Sequence, residues 1–435
     1  MENNAAKGKR TTDAQSRYRW VMVVASFCAF VMAYSGAYSF GVFLRPLRED
    51  FGWTTAATSA AFSLLMFSYC TLGILSGLAV DKFGPRTTTS WGGLFMGLGL
   101  LLTSQIQSRW HIYMTYGLLI GPGMSTAYTP LLTTVSRWFR KRRGLALGIV
   151  TAGAGLSSLI VPPIASFLIS TSGWRSAYLI LGIAVGSAMI TIAMFLREAP
   201  YPIGIPLHDQ RVSETVHKGG NGAGVKKQIP DSGAAGFSLG KALRGRAFWL
   251  LGVMQLMSGF GLQMMLAHVV PFAQESLKVS PMVAATVLST IGAASIAGKL
   301  IMGSASDRIG NKRALTITTS IEGIMIVGLL ISSSPWMLYL SAGIFGFGYG
   351  GHVPQFPALT GEIFGVARMG TIMGTNTIFY GVGGALGPVL AGYIFDASGK
   401  YTYAFLSASA AMLLTAALTF LLENPKQRDT AEAFQ

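Results

Sequence analysis

The chain has 435 residues, of which 51% are hydrophobic and only 11% are charged, and its formal net charge is +16. So few charges in so apolar a chain are typical of a protein whose solvent is lipid, which excludes an ordinary water-soluble domain. We therefore predict an all-α integral membrane protein.

Twelve stretches approach the roughly 20 apolar residues that a helix needs to cross a bilayer. They begin near Trp20, Thr55, Thr87, Trp110, Gly144 and Trp174, and then near Ala247, Met282, Ala314, Trp336, Met369 and Tyr401. We expect a tail at 1–19, a first block of six spans at 20–197, a linker at 198–245, a second block of six at 246–422 and a tail at 423–435. The linker is rich in proline and glycine, and we expect a surface helix in it near residues 239–243.

Lysine and arginine fall mainly in loops on one side of these spans, including the run from Arg140 to Arg143. Because basic loops mark the cytoplasmic side, we expect both tails and the linker there, in a multi-pass protein of the plasma membrane. The anionic inner leaflet accounts for the net charge of +16. We therefore expect the basic residues to meet the lipid bilayer, with no nucleic-acid binding. Separately, we expect a monomer.

The sequence offers no chemistry for catalysis. It has no nucleotide-binding glycine-rich loop and no nucleophile–base pair outside the apolar spans. Cys28 and Cys70 both fall inside predicted spans and form no metal-ligand spacing. We expect no enzymatic activity, no cofactor and no metal site.

A short signal follows the second span of each block, at residues 77–86 and again at residues 303–313. Its small residues allow close helix approach, and its glycines turn the chain. Two copies at matching positions resemble the loop signature of the major facilitator superfamily. That resemblance implies two six-helix bundles around a central cavity, with these loops as cytoplasmic latches. The latch residues would be Gly77, Asp81, Gly84, Arg86, Gly303, Asp307, Arg308 and Gly310.

A narrower resemblance comes from Tyr128-Thr129-Pro130, the basic run and glycines at 137–155, Phe51-Gly52-Trp53 and His268. These segments are similar to the monocarboxylate transporter family, including its bacterial relatives of the oxalate:formate antiporter type. The chain departs from that family where it has Tyr38 in place of a first-helix lysine and Ser295 in place of an eighth-helix aspartate. It also has lysine at position 299, where the family usually has arginine.

Lys299 lies in the middle of an apolar stretch, residues 282–306, that contains no acidic residue. A lone ammonium at that depth costs about 2.5–3.5 kcal/mol on insertion scales, so such residues usually face a cavity and serve function. A desolvated lysine can release its proton, whereas an arginine cannot. We expect Lys299 to bind one carboxylate and to couple it to one proton. The alternative is a structural ion pair with Glu322 of the ninth span.

Further candidate site residues recur at helical spacing on common faces. Those expected to contact a carboxylate or its hydroxyl, with Lys299, are Tyr34, Tyr38, Tyr128, Tyr349, Asn376, Phe379 and Tyr380. Those expected to relay the proton, again with Lys299, are His268, His352 and Glu322. Each tyrosine could instead be a packing residue, each histidine could be a neutral helix contact, and His268 could be an outer gate residue.

The leading interpretation is proton-coupled symport of a small monocarboxylate such as lactate, pyruvate or a short-chain acid. The alternatives are exchange of organic anions without net proton movement, and a sensor of transporter shape that binds its ligand without moving it.

Overall fold

The computed structural model describes residues 2–139, 143–198, 239–364 and 369–422. Every regular element in these ranges is helical. The helices are α1 Glu2–Phe51, α2 Thr55–Thr103, α3 Arg109–Ile112, a π-helical segment Tyr113–Leu119, α4 Ile120–Trp138, α5 Arg143–Ala193, α6 Leu239–Arg244, α7 Arg246–Ser276, α8 Pro281–Ile309, α9 Asn311–Leu330, α10 Pro335–His352, α11 Gln355–Phe364, α12 Met369–Ser398 and α13 Thr402–Thr419. Helix α6 matches the surface helix expected near residues 239–243.

Two glycines reverse the chain inside α2 and α5. Gly84 has φ 75° and Gly173 has φ 79°, values that residues with a Cβ rarely adopt. Before Gly84, Ser68 and Ser76 bond to the carbonyls of Gly117 and Ser125, so residue numbers rise in the same direction in the two helices. After Gly84, a Cβ on Gly92 would meet Thr126 and a Cβ on Gly99 would meet Ile120, so the numbers rise in opposite directions. The part of α2 before Gly84 therefore runs opposite to the part after it.

Eight helical stretches within the described ranges are long and apolar enough to cross a membrane. They are Tyr18–Phe51, Thr55–Gly73, Ala146–Ala193, Arg246–Ser276, Pro281–Ser306, Asn311–Leu330, Ile372–Ser398 and Thr402–Thr419. Large apolar side chains point outward, with Trp110 71% and Phe420 72% exposed. Such a surface is a liability in water but is solvated by lipid. The protein is an all-helical membrane protein.

Helices from residues 2–198, the N-half, meet helices from residues 239–422, the C-half, through small residues. A Cβ on Gly155 of α5 would lie 2.6 Å from the Ile296 side chain of α8, and a Cβ on Gly292 of α8 would lie 2.7 Å from the backbone of Leu159. Gly392 of α12 is equally close to the backbone of Ala56 at the start of α2. Because glycine has no side chain, the helix backbones of the two halves approach closely at these points.

One end of the helix bundle holds the turn between α1 and α2, and we call it the Trp53 end. The opposite end holds the reversal inside α2, and we call it the Gly84 end. At the Gly84 end the expected latch glycines Gly84 and Gly310 both adopt positive φ, 75° and 88°. Arg86 and Arg308 are exposed, and Gly77 and Gly303 lie within α2 and α8. The side chains of Asp81 and Asp307, most of the linker and the C-terminal tail lie outside the described residues.

Candidate functional site

A cavity of about 130 Å³ lies between the two halves, from mid-depth toward the Gly84 end. Residues of both halves line it: Tyr34, Ala37, Tyr38, Met66, Tyr69, Met124, Tyr128, Gln255, Gln263, Leu266, Tyr349, His352, Val353, Phe356, Pro357, Met373, Thr377 and Tyr380. The sequence-predicted residues among them are Tyr34, Tyr38, Tyr128, Tyr349, His352 and Tyr380.

The N-half wall is built from tyrosines of α1, α2 and α4. Tyr34 and Tyr38 lie one helical turn apart on α1, and their rings are nearly parallel with centroids 6.0 Å apart. The hydroxyls of Tyr34 and Tyr69 are hydrogen bonded at 3.0 Å. Sequence reasoning missed Tyr69, although a tyrosine at mid-depth of an apolar span was a usable signal.

The C-half wall carries the polar groups that sequence reasoning did not find. Gln255 and Gln263 lie eight residues apart on α7, which places both on the cavity face. The Gln263 amide donates to the Tyr380 hydroxyl at 2.9 Å. Across the cavity, the hydroxyls of Tyr38 and Tyr349 are 2.7 Å apart, and this hydrogen bond joins the two halves.

Asn376 and Phe379 do not line the cavity, although they share a stretch of α12 with Tyr380. The Phe379 ring packs edge-on against Phe248 and Trp249, with centroids 6.3 and 5.9 Å away. Asn376 is 1% exposed, lies against Gly252, and has no hydrogen-bond partner among the described residues. Both side chains belong to the packing between α7 and α12.

Lys299, which was expected to bind the carboxylate, is not among the residues that line the cavity. It lies at the junction of α8 with α5 and approaches the lining at Tyr349. Its ammonium donates to the backbone carbonyl of Thr151 at 3.2 Å, a bond between the halves. It also lies 5.8 Å from the centroid of the ring of Tyr349, a residue that lines the cavity. No acidic side chain of the described ranges forms a salt bridge with it, so a partly buried cation is held by one neutral acceptor.

Glu322 pairs with His352 rather than with Lys299, so the expected alternative of a Lys299–Glu322 ion pair is wrong for this structure. His352 Nδ1 lies 2.5 Å from Glu322 Oε1, and both side chains are almost completely buried. His352 Nε2 lies 3.1 Å from the Ser258 hydroxyl. Because His352 also lines the cavity, a chain of polar groups runs from the cavity to a buried acid within the C-half.

His268 lies toward the Trp53 end and is fully buried among four helices. Its Nε2 lies 2.9 Å from the Pro388 carbonyl and 3.2 Å from the Ser59 hydroxyl, while Nδ1 lies 3.4 Å from the Tyr401 hydroxyl. A carbonyl can only accept, so Nε2 carries the proton and Nδ1 accepts from Tyr401. The contact with Ser59 joins the halves, a position consistent with the gate alternative rather than with the cavity.

Charged groups also join the halves at the Trp53 end. The carboxylate of Asp396, near the end of α12, accepts from the backbone N–H groups of Thr55 and Ala56 at 2.8 Å each. These are unsatisfied donors at the positive end of the α2 dipole. Arg48 of α1 donates to Glu275 of α7 at 2.9 Å. We call these two contacts the clasp. Sequence reasoning missed both.

The model of the family described as Major Facilitator Superfamily matches residues 26–294 and 251–435. The chain belongs to the Major Facilitator Superfamily. As a member of this superfamily it is a secondary transporter and not an enzyme.

Curated relatives narrow the position within the Major Facilitator Superfamily. The chain is 27% identical to monocarboxylate transporter 13 of Bos taurus over 91% of its own length and 87% of the relative. It is 26% identical to monocarboxylate transporter 12 of Xenopus laevis, over 94% and 89%, and 26% identical to monocarboxylate transporter 11 of Mus musculus, over 91% and 85%. These values establish distant homology over most of the chain.

A solved structure supports the fold. A bacterial homolog of the human lysosomal transporter Spinster, described as inward-facing and unoccupied, superposes with a TM-score of 0.68. The match covers 93% of this chain and 95% of that one at 14% sequence identity. At that identity the similarity establishes the major facilitator fold alone.

Proposed function

We propose that this protein carries a small monocarboxylate anion together with a proton across the bacterial plasma membrane by alternating access. Twelve membrane crossings form two six-helix bundles, with both termini cytoplasmic. The observation that carries the proposal is the ammonium of Lys299, which lies partly buried between the halves beside the cavity and, among the described residues, is hydrogen bonded to a neutral carbonyl. A partly buried cation of this kind is stabilised by an anion that enters next to it.

The anion binds by displacing the weak contact of Lys299. The lysine side chain is flexible, so its ammonium can leave the Thr151 carbonyl and meet a carboxylate at the cavity wall formed by Tyr349. One cation matches one carboxylate, which favours a monoanion over a dianion. The loaded site is then neutral, so the protein can reorient it from one side of the membrane to the other without exposing a net charge to the low-dielectric interior.

The proton is coupled because the empty protein cannot reorient while the Lys299 ammonium has no anion beside it. Lys299 releases its proton on the return step and takes up another before the next anion binds. The His352–Glu322 pair holds a second exchangeable proton beside the cavity, within hydrogen-bond reach of it through His352. Accumulation of the anion is therefore driven by an inward proton gradient.

The conformation supports an inward-facing state. The clasp and the His268–Ser59 contact close the Trp53 end, whereas the cavity extends toward the Gly84 end. The basic loops predict that the Gly84 end is cytoplasmic. The solved relative with the same fold is described as inward-facing as well.

The decisive experiment measures uptake of radiolabelled monocarboxylates, from acetate to mandelate, into proteoliposomes. With an inward proton gradient we expect accumulation of at least one acid, and Lys299→Ala should lower this uptake about a hundredfold. The exposed Lys400→Ala is the matched control and should retain it, because that side chain lies outside the cavity. Protein-free liposomes correct for passive entry of the protonated acid.

The alternatives give different results in the same vesicles. Exchange predicts uptake only into vesicles preloaded with an anion and insensitive to the proton gradient. A sensor predicts binding to purified protein without flux. Gradient-driven uptake that survives Lys299→Ala would show that this lysine is not the coupling residue.

A further inference from the structure

The lining of the cavity is dominated by aromatic rings. Six tyrosines and one phenylalanine contribute to it, together with three methionines. Aromatic rings prefer stacked or edge-on contact with another ring, and methionine sulfur also contacts rings favourably. A short aliphatic acid would leave most of this surface without a partner.

The hydroxyls of these tyrosines are largely engaged with one another or with a neighbouring amide. Three hydrogen bonds account for five of them: Tyr34 with Tyr69 at 3.0 Å, Tyr38 with Tyr349 at 2.7 Å, and Gln263 with Tyr380 at 2.9 Å. A hydroxyl held in this way fixes the position of its ring. Each bond leaves one hydroxyl hydrogen unassigned, in one tyrosine of each pair and in Tyr380. The cavity therefore presents fixed ring faces and edges together with a few donors for a carboxylate or a hydroxyl.

The size of the cavity suits one ring. Its volume of about 130 Å³ is close to that of an engineered apolar cavity of about 150 Å³ that binds benzene. The methyl group of lactate would fill only a small part of this space.

We propose that the transported monocarboxylate carries an aromatic ring, which packs between the tyrosines of the two halves while its carboxylate is directed toward Lys299. The inference rests on the proposed function and specifies its substrate class. The neutral ring lies in the aromatic part of the cavity. The charge lies at the edge formed by Tyr349, the lining residue whose ring is 5.8 Å from the ammonium.

Three acids with the same 2-hydroxycarboxylate group test this proposal: mandelate, hexahydromandelate and lactate. They differ only in a phenyl, cyclohexyl or methyl group. We expect the concentration for half-maximal uptake into proteoliposomes to be about tenfold lower for mandelate than for lactate, because more apolar surface is buried. It should also be about threefold lower than for hexahydromandelate, the size expected of aromatic contacts beyond buried area.

Two variants of one residue separate the ring from its hydroxyl. Tyr69→Phe keeps the ring and removes the bond to Tyr34, and it should keep the preference for mandelate over hexahydromandelate. Tyr69→Leu removes the ring and should abolish that preference. Isothermal titration of the same acids against purified protein gives the preference independently of transport, so a variant that transports poorly is still informative.

The outcomes distinguish this inference from the proposed function. Uptake of lactate equal to or better than that of mandelate would overturn the inference and leave proton-coupled transport intact. Binding that prefers mandelate without any uptake would overturn transport and would support only the preference of the cavity for an aromatic ring. If none of the three acids binds or is taken up, the aromatic substrate class is wrong, and the wider acid panel decides the proposed function.

Discussion

The two halves are joined differently at the Trp53 end and at the cavity. At the Trp53 end, Arg48 pairs with Glu275 across the interface, and the carboxylate of Asp396 accepts from the N-terminus of α2. Beside the cavity, the Tyr38–Tyr349 bond is between neutral hydroxyls, and the cation Lys299 contacts a neutral carbonyl. Each charged side chain of the clasp has a polar partner of opposite sign, whereas Lys299 has no anionic partner among the described residues.

From this difference we expect separate tasks for the two regions. The charged contacts of the clasp should favour the closed Trp53 end whether or not a ligand is present. A cation without an anionic partner should make the free energy of the cavity region depend on a bound anion. We therefore expect the clasp to set the resting conformation and the cavity to determine what changes it, since a ligand shifts a conformational equilibrium only through different affinities for its states.

After Lys299→Ala, the largest expected effect concerns the buried acid of the C-half. Glu322→Gln removes the acid that pairs with His352, and both partners belong to the C-half, so no bond between the halves is lost. We expect proton-driven uptake to fall about tenfold while exchange between preloaded vesicles is retained. The measurement compares net uptake with exchange in the same proteoliposome preparation.

A parallel loss of uptake and exchange would instead assign Glu322 to packing. Folded yield is followed by size-exclusion chromatography, because removing one partner of a buried pair can also destabilise the protein. Ser258→Ala is a milder control, since it removes the other hydrogen bond of His352 and leaves the acid in place.

A smaller effect is expected from Asp396→Asn at the clasp. The change removes a negative charge from the N-terminus of α2, an interaction that contributes about 1 kcal/mol, and so it should shift the equilibrium about fivefold toward an open Trp53 end. Asp50→Asn is the matched control. Asp50 lies at the same end but contacts Trp174 and Arg175 of its own half. It should leave the equilibrium unchanged.

The opening of the Trp53 end is measured as a distance between two spin labels. Arg109→Cys in the N-half and Lys400→Cys in the C-half provide exposed positions, in a background where Cys28 and Cys70 are replaced by alanine. A larger population of long distances in Asp396→Asn than in Asp50→Asn is the expected result. Equal populations in the two variants would mean that the clasp does not set the resting state.

Local signals in the sequence predicted the parts of this arrangement that depend on neighbours along the chain. The turn glycines Gly84 and Gly310 were expected from the repeated motif, and the shared face of Tyr34 and Tyr38 from helical spacing. The clasp could not be predicted in the same way. Asp396 and Thr55 are 341 residues apart, and nothing local to either residue indicates the other.

The stretch from Asn376 to Tyr380 shows a second limit of sequence reasoning. Helical spacing puts Asn376 and Tyr380 on one face of α12, yet only Tyr380 lines the cavity. The edge of the cavity is set by how closely α12 approaches α7, where a Cβ on Gly383 would lie 1.9 Å from the Leu256 carbonyl oxygen. Periodicity gives the direction of a side chain, but the depth at which a neighbouring helix covers it is a tertiary property.

The smallest expected effect comes from the hydroxyl pair between the halves at the cavity. Tyr38→Phe removes the bond to Tyr349, and a neutral hydrogen bond contributes about 0.5–1.5 kcal/mol net, so we expect a shift of about threefold toward the open Trp53 end. Tyr34→Phe removes a similar bond, to Tyr69, that lies within the N-half, and it should not change the spin-label distances. If Tyr38→Phe exceeds Asp396→Asn in the same measurement, the neutral contact rather than the charged clasp holds the halves together, and the assignment of tasks to the two regions must be reversed.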